Sequence, residues 1–159
     1  GWTSVLSDHS NESWSAALNV NVSAALKLVR DWEVPLRMAD HASVINISSI
    51  YGIRGPRWSY YAGVEMKNPA AYGVSKAAML QLSKWLATYL VPSVRVNSIS
   101  PGGIERAQDP LFIERYVKDV PLGRMATEDD MVGAMLFLAG RMSLYVTGQN
   151  IVVDGGWSL

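Results

Sequence analysis

One tyrosine and one lysine stand four residues apart near the start of an apolar segment, "AAYGVSKAAMLQLSKWLA", residues 70–87. On a helix, residues i and i+4 lie on one face one turn apart, so Tyr72 and Lys76 would be neighbours. A free phenol is a poor base at neutral pH, but an adjacent ammonium group favours the phenolate. A tyrosine in that position can take a proton from an alcohol or return one to a carbonyl. The alternative is that Tyr72 only packs and that the Lys76 side chain extends to solvent.

Three short apolar segments have the composition of buried strands. "ASVINISS", "VRVNSIS" and "QNIVVDGG" are rich in β-branched residues and have the length of strands. We expect these strands near residues 43–48, 93–99 and 149–153. Because helical segments separate them, they predict an α/β fold with a parallel sheet rather than a set of hairpins.

Three segments with helical spacing lie between and before these strands. The first begins near Ser10 and runs through Val29, and the second covers residues 70 to about 90. The third has Thr127 as a predicted N-cap and Gly140 as its stop. The stretch "IYGIRGPRWSYYAGVEMKNPA" between the first strand and the second helix has no period, so we expect a loop. Loops of this length inside a compact domain tend to be functional.

Composition excludes several classes of function. The chain has 159 residues, which suits one domain, and its formal net charge is zero, which argues against a nucleic-acid partner bound through overall charge. Cysteine is absent and only two histidines occur, so we expect no disulfide and no metal site. No apolar run has the length of a membrane helix, so we expect no membrane partner and a cytoplasmic location.

Further motifs surround the tyrosine–lysine pair in a fixed order. They are "WSAALNVNVSA" on the first helix, "NISSIYG" at the end of the first strand, "RVNSISPGG" and "TGQNIVVDGG". Together with "YGVSK" they resemble the short-chain dehydrogenase/reductase family over nearly the whole chain. The resemblance implies a Rossmann-like, doubly wound parallel sheet. It also implies an oxidoreductase that interconverts a secondary alcohol and a ketone with NAD or NADP.

The same resemblance implies catalytic roles. Tyr72 would be the general acid and base, and Lys76 would assist it and bind the nicotinamide ribose. Ser49 would hydrogen-bond the reacting oxygen, and Asn21 would hold a water that joins Lys76 to solvent. Ser48 is an equally available hydroxyl, and either serine could simply cap the strand. Asn21 could be no more than a polar residue that bends its helix.

The segment after the second strand would complete the cofactor site. The residues that the resemblance assigns to cofactor binding are Tyr72, Lys76, Pro101, Gly102, Gly103 and Ile104. Arg106 stands where the family often has a threonine that binds the nicotinamide carboxamide. That side-chain contact is therefore in doubt, while backbone groups of Gly103 and Ile104 remain available.

The nucleotide-binding front half of the family is absent from this sequence. No glycine cluster precedes a helix in the way that binds a pyrophosphate at the helix N-terminus. If Gly1 is the last residue of the family's "NNAG" strand end, the chain starts after the fourth strand. We therefore expect residues 1–159 to be the C-terminal catalytic portion of a single domain.

The spacing between serine and tyrosine also departs from the family. Tyr72 follows Ser49 by 23 residues, more than the family usually has, so an inserted segment must lie beside the active site. It resembles a subgroup tied to flagellin and surface-glycan sugar synthesis. We expect substrate contacts from Ser49, Tyr51, Arg57, Tyr61 and Arg106.

Arginines suggest an anionic substrate. Arg54, Arg57 and Arg106 follow strand ends, and a guanidinium group suits phosphate or carboxylate. If the three converge on one mouth, the substrate is a sugar phosphate or a nucleotide-linked sugar. The alternative is that they are solvated loop residues with incidental ion pairs.

A second class of function stays open. Without the phosphate-binding half, the chain could be an inactive module that serves in oligomerisation or protein interaction. The family's helices that carry Asn21 and Tyr72 commonly build an oligomer interface, so we expect a homodimer or homotetramer in either case.

Overall fold

The structure is a computed structural model that describes residues 5–159. The expectation about Gly1 therefore lies outside the described residues. The described part forms a three-stranded parallel sheet in the order β1-β2-β3, with β1 at Ala42–Ile47, β2 at Val94–Pro101 and β3 at Asn150–Val153. Each strand lies within two residues of its predicted position. The predicted parallel α/β sheet is confirmed.

Helices connect and cover these strands. Among the described residues they are α1 (Asn11–Leu18), α2 (Ala24–Asp31), α3 (Glu33–Met38), α4 (Ala70–Leu90), α5 (Pro110–Lys118) and α6 (Asp129–Ala139). Helix α4 forms the crossover from β1 to β2, as predicted, and α5 and α6 lie between β2 and β3. No helix among the described residues has both the length and the apolar character needed to cross a membrane.

Alternate residues of the strands face opposite layers of helix. On one side Asn46 of β1 donates from Nδ2 to the Ser83 hydroxyl of α4 at 2.8 Å. On the other side the Ser43 hydroxyl donates to the carbonyl oxygen of Leu138 in α6 at 2.9 Å. Helices therefore cover both faces, which is the doubly wound arrangement. In such sheets the ligand site lies beyond the carboxyl ends of the strands.

Two apolar clusters hold these layers together. The first joins α2, α4, β1 and β2 and consists of Val29, Ala42, Leu86, Ala87, Leu90, Val94 and Val96. The second lies beyond the strand ends and consists of Ile50, Tyr60, Tyr61, Val64, Phe112, Tyr116, Val120, Met125 and Trp157. We call the second group the aromatic cluster. It joins the inserted segment (residues 53–69) to α5 and to the last residues of the chain.

Two details of the helices differ from the expectations. Helix α6 begins at Asp129 with Glu128 in the N-cap position, one residue after the predicted cap Thr127. The Asp130 carboxylate accepts hydrogen bonds from both the N–H and the hydroxyl of Thr127. Helix α3 was not predicted, and neither was helix α5. Helix α5 begins after Asp109, whose carboxylate accepts from the Leu111 N–H at 2.8 Å, with Pro110 in its first turn.

Candidate active site

A cleft of about 350 Å³ opens at the carboxyl ends of β1 and β2. Its lining includes ten residues from four parts of the chain: Ser49, Tyr51, Tyr61, Asn68, Tyr72, Lys76, Pro101, Gly102, Gly103 and Ile104. Most of the predicted catalytic and cofactor-binding residues are therefore brought to one cavity. Its position is where open α/β sheets bind ligands.

Tyr72 and Lys76 lie one turn apart at the start of α4, as the spacing predicts. The Lys76 Nζ atom lies 5.8 Å from the centre of the Tyr72 ring. It donates to the carbonyl oxygen of Ile47, the last residue of β1, at 2.8 Å. Burial lowers the pKa of Lys76, because desolvation disfavours its charged form. The Lys76 ammonium is thus fixed between the phenol and the strand end instead of extending freely into solvent.

The two serines at the end of β1 have different partners. The buried Ser48 hydroxyl donates to the carbonyl oxygen of Lys76 at 2.8 Å, which fastens the strand end to α4. The Ser49 hydroxyl oxygen accepts from the Tyr51 N–H at 3.1 Å. That contact uses an acceptor site of Ser49 and leaves its proton to be donated elsewhere. The expectation for Ser49, rather than Ser48, is consistent with this arrangement.

Asn21 lies in a π-helical turn, Asn19–Ser23, between α1 and α2. Its Nδ2 donates to the buried Ser75 hydroxyl at 2.8 Å, and Ser75 donates to the carbonyl oxygen of Tyr72 at 2.8 Å. Asn21 is therefore fastened to α4 directly beside Lys76. Isolated π-turns occur frequently at functional sites. The predicted water between Asn21 and Lys76 remains a proposal.

The inserted segment supplies one wall of the cleft. The hydroxyls of Tyr51 and Tyr61 lie 2.9 Å apart, and Asn68 Nδ2 donates to the Tyr61 hydroxyl at 3.1 Å. Burial raises the pKa of both tyrosines. The Tyr51 ring also packs edge-on against Tyr72, with 6.5 Å between ring centres. Tyr51 and Tyr61 therefore reach the cleft as neutral hydroxyl groups beside Tyr72.

The glycine segment after β2 requires glycine for close packing. A Cβ atom on Gly102 would lie 2.8 Å from the Asp154 Cα, and one on Gly103 would lie 2.8 Å from Cζ of Tyr116. Either substitution would push the segment into the cleft. The Gly103 N–H donates to the Tyr116 hydroxyl at 2.6 Å, so it is already engaged. Of the two backbone groups expected to serve a cofactor, Ile104 is therefore the stronger candidate.

Tyr116 belongs to a stack of rings that supports this glycine segment. Trp157 stacks on Tyr116, with 6.0 Å between ring centres, and donates from Nε1 to the Tyr60 hydroxyl at 3.0 Å. The Tyr60 hydroxyl in turn hydrogen-bonds the carboxylate of Asp119. Burial raises the pKa of Tyr60 to about 12 and that of Tyr116 to about 12. The sequence reasoning missed Tyr116 and Trp157, because only the tertiary fold brings them under the cleft.

The structure does not bring the predicted arginines together on the cleft. Arg57 pairs with Asp119, with 2.6 Å between Nη1 and Oδ2. Its guanidinium group also lies over the Trp157 ring, 5.1 Å from the ring centre. Arg57 therefore fastens the inserted segment to the end of α5. Arg57 is not among the residues that line the cleft, so its predicted contact with substrate stays a prediction.

Arg106 and Arg54 are engaged elsewhere as well. Arg106 pairs with Glu128, with 2.5 Å between Nε and Oε1, and Arg54 donates to the carbonyl oxygen of Ser158 at 2.7 Å. Neither side chain is among the residues that line the cleft. The three arginines therefore have separate partners, and an arginine grip on an anionic substrate stays a prediction.

Asn68 is a further polar residue of the cleft that the sequence did not single out. It is buried, and its amide group contacts a residue that was expected to bind substrate. A buried asparagine inside an inserted loop has no distinguishing motif. The one available signal was its place between the "YAGVEM" segment and the helix that carries Tyr72.

Comparisons with known proteins agree with this architecture. Residues 3–158 match the family model described as "Enoyl-(Acyl carrier protein) reductase". The chain is 32% identical over 151 residues to post-translational flagellin modification protein A of Campylobacter coli, a match that covers 94% of this chain and 59% of that protein. It is 32% identical over 158 residues to a 3-oxoacyl-[acyl-carrier-protein] reductase of Chlamydia muridarum, covering 96% and 60% respectively.

Solved structures extend the likeness to three dimensions. A short-chain dehydrogenase from Leptospira borgpetersenii with bound NAD⁺ superposes with a TM-score of 0.89 at 34% identity, covering 99% of this chain and 61% of that one. The RhlG/NADP complex from Pseudomonas aeruginosa superposes with a TM-score of 0.85 at 31% identity, covering 99% and 62%. The chain thus spans about 60% of the length of the curated relatives that it matches. Its sequence, its sheet and the residues of its cleft together place the chain in the short-chain dehydrogenase/reductase family.

Proposed function

We propose that the protein is an NAD(P)-dependent oxidoreductase that interconverts a secondary alcohol and a ketone. One observation carries the proposal: the Tyr72 phenol, the Lys76 ammonium and the Ser49 hydroxyl line a single cleft at the strand ends. The proposal includes the expectation that residues 1–159 are the catalytic portion of one domain. Membership of an oxidoreductase family supports it.

Each side chain would act through its own polar group. Tyr72 would give its phenol proton to the oxygen of a ketone that is being reduced, or take a proton from an alcohol that is being oxidised. Ser49 would donate a hydrogen bond to the same oxygen and stabilise the charge that develops there. Lys76, held by Ile47, would stabilise the phenolate through its adjacent positive charge.

Asn21 would serve proton return. Through Ser75 it is fastened to the same turn of α4 that carries Tyr72 and Lys76. Its side-chain oxygen could hold a water that passes a proton from solvent toward Lys76. We propose this role in addition to the structural one that the contact with Ser75 supports.

The described residues fit the nicotinamide end of a dinucleotide. Lys76 offers a donor for ribose hydroxyls, and Pro101, Gly102 and Ile104 line the cleft where a planar ring would pack. The two glycines keep this wall thin, since a Cβ on either would collide with residues behind it. When bound, the nicotinamide supplies or accepts the hydride. The sequence contains no glycine-rich turn that opens a helix for the pyrophosphate, so this part of the cofactor would be held by chain outside it.

The cleft suits a polar substrate such as a sugar derivative. Its wall presents the hydroxyls of Tyr51 and Tyr61 and the amide of Asn68, and the arginines lie elsewhere. We propose Ser49, Tyr51 and Tyr61 as substrate contacts. The names of the two relatives point to flagellin modification and to acyl-carrier-protein substrates, so they favour no single substrate class.

We also propose a homodimer or homotetramer in the cytoplasm. Trp85 and Tyr89 stack on an exposed face of α4 with 5.1 Å between ring centres, which suits burial against a second copy. A reductase that depends on a nicotinamide dinucleotide also needs the cytoplasmic supply of that cofactor.

The test is cofactor binding by the full-length gene product, with NADH and NADPH titrated side by side and followed by a panel of polar ketones. We expect saturable binding of at least one dinucleotide and its oxidation by at least one ketone. Binding of neither dinucleotide would contradict the proposal and favour the alternative of an inactive interaction module.

A further inference from the structure

A chain of three polar groups runs from the inserted segment to the cleft. Asn68 Nδ2 lies 3.1 Å from the Tyr61 hydroxyl, which lies 2.9 Å from the Tyr51 hydroxyl. Asn68 and Tyr61 are both buried, whereas Tyr51 is half-buried. The chain therefore has an inner end at Asn68 and an outer end at Tyr51.

The inner end fixes the direction in which the protons point. Asn68 donates to the oxygen of Tyr61, so that oxygen has one acceptor site filled. If Tyr51 also donated to it, the buried Tyr61 proton would have no acceptor among the hydrogen bonds that the described residues make, which is costly. The favoured arrangement is that Tyr61 donates to Tyr51. The Tyr51 proton is then delivered into the cleft, where Tyr51 is a lining residue.

We propose that Asn68 is a positioning residue for substrate specificity, which orients Tyr61 and Tyr51 so that the Tyr51 hydroxyl donates to an acceptor oxygen of the substrate. That oxygen is a second one, separate from the oxygen that reacts at Tyr72. The Tyr51 ring packs edge-on against Tyr72 at 6.5 Å, so the two hydroxyls serve one bound molecule. The inference rests on the proposed function, because it takes the ligand of this cleft to be a carbonyl compound.

The test compares two cyclic ketones that differ in one acceptor oxygen. Cyclohexanone has one carbonyl, and 1,4-cyclohexanedione has a second carbonyl that can only accept. Their dissociation constants are measured by ligand-observed NMR on the full-length gene product carrying Tyr72→Phe, so that binding is read without turnover. The dione has two equivalent carbonyls, so its affinity is first divided by two to correct for the two ways in which it can bind. After this correction we expect the dione to bind about fivefold more tightly than cyclohexanone, which is the effect of one hydrogen bond.

Two variants in this background test the roles of Tyr51 and Asn68. Tyr51→Phe removes the donor and should abolish the preference for the dione. Asn68→Asp keeps the shape of the side chain, but the ionised carboxylate can only accept hydrogen bonds. Tyr61 would then donate to this carboxylate and Tyr51 would donate to Tyr61. The Tyr51 proton would no longer reach the substrate, so the preference for the dione should disappear. Below the pKa of the introduced carboxyl group, followed by its infrared stretch, the acid can donate and the preference should return. A merely structural role for Asn68 would not produce this pH dependence.

Controls separate this effect from charge and from misfolding. Asn19→Asp adds the same charge on the exposed face of a different segment and should leave the preference unchanged. If Asn68→Asp lowers the melting temperature so far that it cannot be studied, Tyr61→Phe takes its place and should reduce the preference at least twofold. Equal affinity for both ketones, no measurable binding of the dione, or a preference that survives ionisation of Asn68→Asp would overturn the inference. Absence of reductase activity in the wild type would instead count against the proposed function, since these ratios do not depend on turnover.

Discussion

At the scale of single residues, the hydroxyls of Ser48 and Ser49 at the end of β1 make different hydrogen bonds. Ser48 donates to the main chain of α4, while Ser49 accepts from the main chain and keeps its proton for the cleft. The two side chains are chemically identical and adjacent. Their separation into a structural serine and the serine that we propose as catalytic therefore depends on geometry alone.

This pair yields a matched prediction. In the full-length gene product, Ser49→Ala should lower kcat by about 10²-fold, the usual effect of removing one donor to a developing oxyanion. Ser48→Ala should keep most of kcat but lower the free energy of unfolding by about 1 kcal/mol, because one buried hydrogen bond to the Lys76 carbonyl is lost. Steady-state kinetics and denaturant unfolding of both variants check the assignment. The reverse pattern would identify Ser48 as the catalytic serine.

Tyr72 gives a second prediction at this scale. Tyr72→Phe should reduce kcat by about 10²-fold or more, because the phenol proton is needed in the transition state. Its dinucleotide affinity should stay nearly intact, since the ring fills the same space. Lys76→Ala should weaken both quantities, because Lys76 serves the proton chemistry and the ribose.

A tyrosine outside the cleft provides the control for that experiment. Tyr145 is fully exposed, so Tyr145→Phe should leave kcat and dinucleotide affinity unchanged. The measurements are steady-state kinetics and fluorescence titration with the dinucleotide. If Tyr72→Phe retains more than about a tenth of the wild-type kcat, Tyr72 is not the general acid and base.

At the scale of elements, the inserted segment is an integral part of the fold. Tyr60 and Tyr61 contribute to the aromatic cluster, and Arg57 links the segment to Asp119 at the end of α5. Its placement depends on contacts with α5 and with Trp157 as much as on its own sequence. A change in α5 would therefore reach the wall of the cleft.

The aromatic cluster makes stability depend on alkaline pH. Tyr60 and Tyr116 keep their protons up to a pKa of about 12 in the folded chain, whereas an unfolded tyrosine ionises near 10. Between these values unfolding releases protons, so the free energy of unfolding should fall as the pH rises from about 10 to about 12. Below pH 10 this contribution is fully present.

Melting temperatures measured by circular dichroism at a series of alkaline pH values check this prediction. Tyr116→Phe should make the fall shallower, because one titrating group is removed, while Tyr145→Phe should leave its slope unchanged. A melting temperature that stays constant from pH 9 to 11.5, a range chosen around the tyrosine value of about 10, would contradict it.

The elements also show what sequence can and cannot predict. The positions of the strands, and the helical turn that carries Tyr72 and Lys76, could be predicted from the local pattern of apolar residues. The structure contains these elements where the pattern predicts them. Helix α5 was not predicted, although Asp109 and Pro110 are a cap signal that the sequence contains. The partner of Arg57 was not predictable, since Asp119 is 62 positions away along the chain and only tertiary packing brings them together.

At the scale of the whole molecule, extensive apolar surface is exposed. Leu28, Trp32, Met38 and Leu136 are each at least 60% exposed. Ile47 of β1, on the strand edge that pairs with nothing among the described residues, is 40% exposed. Faces of this kind mark sites of interaction with further protein. The 159-residue chain should therefore associate or aggregate when it is produced alone, and a monodisperse monomer in size-exclusion chromatography would argue against this.

The residues available for a cofactor predict weak dinucleotide binding by the 159-residue chain on its own. Most dinucleotide affinity in such folds comes from the pyrophosphate at a helix N-terminus and from the adenosine half. The described residues offer groups for the nicotinamide end only. Calorimetry should find no saturable micromolar binding of NADH to this chain, with the full-length gene product as the positive control. Micromolar affinity would show that the pyrophosphate is not the main anchor.

The stacking of Trp157 on Tyr116 has a practical consequence for protein engineering. Trp157 is almost wholly buried, whereas Leu159, two positions later, is almost wholly exposed. The Tyr116 hydroxyl accepts from the Gly103 N–H, and Trp157 stacks on the Tyr116 ring. Deleting residues 157–159 would therefore loosen the glycine segment that lines the cleft, although Trp157 does not contact that segment through these bonds itself. In the 159-residue chain, removal of Leu159 should therefore change the melting temperature little, whereas a deletion that includes Trp157 should lower it sharply.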